Sequence, residues 1–85
     1  MTRAEQIHQA LDTNFSPQHL EVIDESESHR GHAGYQEGGQ SHFRVIIRAP
    51  VFGSMSRVAR HRAVHKALGP DLVGQIHALA LDVGT

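Results

Sequence analysis

Ala4, Ile7, Ala10 and Leu11 recur at intervals of three and four residues, Phe15 prolongs the stripe, and polar residues fill the gaps. That spacing collects the apolar groups on one side of a helix. Thr2 stands where an N-cap belongs, with Glu5 three positions later as its capping-box partner, so a helix is predicted over residues 2–14. Ser16-Pro17 breaks it. From Leu20 the period falls to two: Leu20 and Val22 share a face, which predicts a short strand ending near Asp24. Residues His42 to Ala49 alternate again, with Phe43, Val45 and Ile47 on one face and Arg44, Ile46 and Arg48 on the other. The two strands read as an antiparallel pair. After Pro50 and Gly53 the helical period returns over residues 56–68. Ser54 or Ser56 can cap this helix. Ala59, Ala63, Val64, Ala67 and Leu68 form its narrow apolar side, and Gly69-Pro70 ends it. Asp71-Leu72-Val73 adds a short helical turn. Ile76 to Val83 reads as a third strand, with His77, Leu79, Leu81 and Val83 opposing Ile76, Ala78 and Ala80. This order predicts one α+β domain over residues 1–85, with helices packed on one face of a three-stranded sheet.

Between the first two strands, residues 26–41 carry Ser26, Ser28, Gly31, Gly34, Gly38 and Gly39 among polar residues, the composition of a loop. Loops this long are uncommon in small domains and are often functional. This one holds His29 and His32, and it directs attention to histidine in general. The chain has 85 residues, eight histidines and no cysteine. It can offer imidazole nitrogen to a transition metal, but any thiolate must come from another molecule. The small core is aliphatic and without disulfides, because aromatics make up 5% of the chain. A formal net charge of −1 excludes attraction of nucleic acid by bulk charge. The charge is uneven, however: Arg57, Arg60, Arg62 and Lys66 cluster, and Glu21, Asp24, Glu25 and Glu27 lie upstream. No apolar run approaches the roughly 20 residues that cross a bilayer, and residues 1–6 lack a signal-peptide apolar region. A cytoplasmic protein with no membrane partner is the expectation.

His29-Arg30-Gly31-His32 fits two metal ligands or two solvated loop histidines, and on spacing alone the solvated reading leads. His77 interrupts an aliphatic strand, either as a hydrogen-bonded core histidine or as a rigidly held ligand near the sheet's end. His61 and His65 share a helix face without the metalloprotease motif, and a solvated face is the preferred reading. Arg60, Arg62 and Lys66 suit phosphate contact. His42 beside Phe43 reads as a structural hydrogen-bonding residue. Neither a nucleophile elbow nor a phosphate loop is present, so the chain does not read as an enzyme. A zinc module built from His29, His32 and His77 is a further reading.

Taken together, several segments resemble the BolA family: Leu20-Glu21-Val22 with Asp24-Glu25-Ser26, Gly31-His32-Ala33-Gly34, His42-Phe43, Ser56-Arg57-Val58-Ala59-Arg60-His61-Arg62-Ala63-Val64-His65, and Ile76-His77-Ala78-Leu79-Ala80-Leu81. The resemblance implies a class II KH-like fold in α-β-β-α-α-β order. It also implies a non-enzymatic role with a monothiol glutaredoxin, around a shared [2Fe–2S] cluster to which glutaredoxin and glutathione each bring a cysteine sulfur. The isolated chain would then hold no cofactor. By this likeness His77 is one ligand, and His29, with His32 as close competitor, is the second. The family's other proposed role, DNA-binding transcription regulation, would use Arg57, Arg60, Arg62 and Lys66 on the KH-like helical surface; a homodimer is the remaining partner considered. The sequence departs from the pattern at Gly53-Ser54-Met55-Ser56, which lacks the second glycine of a KH loop, and at Ser54, where many relatives carry glycine. Contacts of the C-terminal tail found in many members are not expected of a chain read to Thr85.

Overall fold

In a computed structural model of the protein, residues 2–25 and 42–85 are described. Helix α1 (Arg3–Phe15) opens on the anticipated capping box: Thr2 accepts from the Glu5 backbone at 3.1 Å, and the Glu5 carboxylate accepts from the Thr2 backbone at 3.0 Å. The backbone bond from Thr2, followed by the hydrogen bond to its side chain, holds the Glu5 carboxyl below the ordinary glutamate range. The helix runs one residue further than its sequence pattern, because Ser16 takes a left-handed φ of 45° and donates to the Asp12 carbonyl before Pro17. Ile7 and Leu11 are its buried residues.

Strands β1 (His19–Asp24) and β2 (His42–Arg48) pair antiparallel, with Leu20 opposite Ile47 and Val22 opposite Val45. β3 (Ala78–Gly84) joins the other edge of β2 in parallel, so the sheet order is β1-β2-β3. Parallel neighbours need a crossover connection, and here it contains a 3-10 turn (Pro50–Ser54), α2 (Arg57–Leu68) and the short α3 (Pro70–Gly74). The helices cover one face, where Phe43, Val45 and Ile47 are buried against Ile7, Leu11, Val64 and Leu68. Leu79, Leu81 and Val83 extend the core from β3.

The 3-10 turn departs from a plain chain break. Pro50 and Gly53 do flank it, but Phe52 between them is fully buried and lies 4.9 Å from the Phe15 ring. A single aromatic outside any periodic segment carries no signal of burial in the sequence. Ser54 causes no strain, since Ser16 is the one non-glycine with positive φ among the described residues.

Arg60 corrects an expectation. Sequence grouping placed it with the phosphate-contacting cations. Instead it is partly buried, and its Nε donates to the carbonyls of Phe52 (2.8 Å) and Met55 (3.2 Å) while Nη1 donates to Val83 (3.3 Å). It ties α2 to both the 3-10 turn and the end of β3. The cause is geometric: carbonyls at a short turn and a strand end have lone pairs to fill, the Phe52 oxygen beyond the bond it already accepts from the Met55 N–H, and a guanidinium presents several donors in one plane.

Phe52→Ala is expected to lower unfolding free energy by about 3–5 kcal/mol in chemical denaturation. Arg60→Ala is expected to cost about 1–3 kcal/mol, against less than about 0.5 kcal/mol for Arg62→Ala. Because the Glu5 pKa is lowered on folding, its contribution to stability is present above the unfolded carboxylate range and is lost as acid protonates the folded group. Denaturation midpoints followed from neutral pH downward should therefore fall less steeply for Glu5→Gln than for the wild type.

Candidate functional site

The third strand starts at Ala78, so His77 occupies a bend ahead of it and does not share the core face with Leu79 and Leu81. The end of α3 fixes the approach: Gln75 donates to Leu72 and Ile76 donates to Val73, both at 3.1 Å. Immediately afterwards, Ala78 enters the ladder opposite His42. His77 is left exposed at the end of the sheet. Its ring meets that of His42, with centroids 5.0 Å apart and planes tilted by 53°.

The same end of the sheet anchors the segment that carries the loop histidines. Glu25 donates its backbone N–H to the His42 carbonyl at 2.8 Å, closing the β1–β2 pair. His29 and His32 themselves lie outside the described residues. Among the described residues no three His, Cys, Asp or Glu side chains gather to hold a metal ion. At this end of the sheet the described part presents one exposed imidazole, that of His77, resting on the buried ring of His42. An exposed neutral imidazole can bind a metal through one ring nitrogen, and a protein supplying one or two such nitrogens needs a partner to fill the remaining positions.

A second surface lies on α2. Ser56 caps it by accepting from the Ala59 backbone at 3.1 Å. Arg57, Val58, His61, Arg62 and His65 line a shallow groove along one side. No carboxylate occurs anywhere in the twelve residues of this helix. Val58 in this groove is 59% exposed, a feature the periodicity did not single out because Val58 falls outside the core stripe. Arg57 and Arg62 share this groove, Lys66 is exposed on another side of the helix beside Asn14 and Phe15, and Arg60 is committed to backbone carbonyls. No described helix is long and apolar enough to cross a membrane.

Comparison with known proteins agrees with this architecture over nearly the whole chain. The family model described as BolA-like protein matches residues 11–85. An uncharacterized protein in the cobS 5′ region of Sinorhizobium sp. is 47% identical over 83 residues, covering 96% of this chain and 89% of its own. The DNA-binding transcriptional regulator BolA of Vibrio cholerae is 38% identical over 79 residues, covering 93% of this chain and 71% of its own. Among solved structures, BolA1 from Arabidopsis thaliana superposes with a TM-score of 0.84 at 33% identity, covering all of this chain (100%) and 93% of its own. With the strand order, the crossover helices and the histidine ahead of the last strand in place, the chain belongs to the BolA-like protein family.

Proposed function

We propose that this chain is an accessory protein for iron–sulfur trafficking or iron sensing. It pairs with a monothiol glutaredoxin and glutathione to complete a shared [2Fe–2S] cluster. The observation that carries this reading is the exposure of His77 at the sheet end where the histidine-bearing segment is anchored. The donor chemistry fits: eight imidazoles and no thiolate make this chain the nitrogen partner of a sulfur-supplying one. His77 binds one iron, and His29 or His32 completes the nitrogen set. The cluster supplies electron storage and a group that can be handed on, while the chain supplies two neutral donors and the surface around them. Substituting nitrogen for sulfur raises the potential relative to all-thiolate ligation. A cytoplasmic setting, where thiols stay reduced, suits such a partner.

The second reading, a DNA-binding regulator, rests on the carboxylate-free face of α2 and on the name of the Vibrio cholerae relative. Its phosphate-contacting set is Arg57, Arg62 and Lys66, with Arg60 serving the fold.

Reconstitution of the complex with glutaredoxin, glutathione, iron and sulfide is expected to give a visible circular dichroism spectrum that changes when His77 becomes Ala. An unaltered spectrum in that variant counts against the cluster reading. For the second reading, Arg57→Ala/Arg62→Ala/Lys66→Ala should reduce the slope of log affinity for duplex DNA against log salt by about 2.7, at roughly 0.9 per phosphate contact. Fluorescence anisotropy across a salt series measures it, and an unchanged slope removes this surface from DNA binding.

A further inference from the structure

His42 is the one buried polar or charged residue among those described, at 6% exposure. Its position makes that burial unexpected. Along β2 it alternates with Phe43, Val45 and Ile47, whose side chains enter the helix-covered core. His42 therefore belongs with Arg44, Ile46 and Arg48 on the face without helices, where Arg44 is exposed and the other two are only half-buried. The ring of His77 contributes to its cover. The separation of 5.0 Å and the tilt of 53° fall within the range in which flat rings pack favourably. The two residues are brought together by the parallel register, which sets His42 opposite Ala78. Among the described residues, this ring contact is the only aromatic or polar side-chain interaction made by His77.

We infer that His42 is a positioning residue for His77. It is a ring fixed in the central strand, against which the exposed imidazole is held in a narrow set of rotamers before any metal arrives. The inference rests on the cluster reading for its purpose, but the ring contact can be tested without a cluster. A metal-binding side chain that is mobile beforehand must lose that freedom on ligation, which weakens association by roughly two- to tenfold. A side chain already confined by a buried neighbour avoids most of that loss.

The test compares wild type, His42→Phe, His42→Ala and His77→Ala. In the isolated protein, NMR relaxation of the His77 ring is expected to report similar order in wild type and His42→Phe, where a ring remains, and greater motion in His42→Ala. Backbone amide spectra of β2 and β3 verify the fold; should His42→Ala fail to fold, His42→Val takes its place. In the complex reconstituted with monothiol glutaredoxin and glutathione, His42→Ala is expected to keep the wild-type circular dichroism bands but to give up half its cluster at a two- to tenfold lower chelator concentration at equilibrium. His42→Phe should restore the wild-type midpoint. Equal His77 order in all the His42 variants overturns the inference, as does a midpoint shift in His42→Phe as large as in His42→Ala. A His42→Ala spectrum identical to that of His77→Ala also overturns it, by making His42 a ligand in its own right. If His77→Ala leaves the spectrum of the complex unaltered, the cluster reading fails, and ring order in the isolated protein still decides whether His42 positions His77.

Discussion

The pairing of β2 with both of its neighbours is the constraint on which the rest of the molecule depends. β2 is central, and its Phe43, Val45 and Ile47 are buried on the helix side. Its antiparallel edge is reached through the segment between Glu25 and His42, and its parallel edge only through a crossover. That crossover forces α2 and α3 to lie between β2 and β3 in sequence and against the sheet in space. It also brings the bend before β3 to the same end of the sheet as the start of β2. The meeting of His42 and His77, residues 35 positions apart in the chain, follows from this topology.

Much of the fold was legible because local signals agreed with one another. The Thr2–Glu5 capping box, a serine cap on α2 offered by Ser54 or Ser56, and the alternation from Phe43 to Arg48 each rest on contacts within a few residues, and the structure realises all three, with Ser56 as the cap. The exceptions involve contacts between distant segments. Periodicity reveals which face of a strand is buried but not the direction of its neighbour, so the parallel placement of β3 was not deducible from residues 76–83 alone. Phe52 and Arg60 went unrecognised for the same reason: one fills a gap between α1 and the sheet, and the other answers carbonyls contributed by three separate residues.

The candidate site divides along similar lines. Residue type identified His77, since an imidazole interrupting an aliphatic run is conspicuous in sequence. Its exposure depends on where the strand begins, one residue later than that imidazole. His42 read as a structural residue, and its burial agrees with that; what the sequence could not supply was the identity of the ring beside it. On α2 the number of cations was visible from the start, but whether each faced solvent or backbone was not.

Arg60 has a consequence for any attempt to map the basic helix by neutralising its charges one at a time. Arg57, Arg62 and Lys66 can be exchanged while the scaffold stays put, so a change in ligand affinity reports on contact. Arg60 cannot, because its loss releases the Val83 carbonyl at the far end of the strand that follows His77. A defect at that position would look like lost binding at both candidate surfaces while belonging to neither.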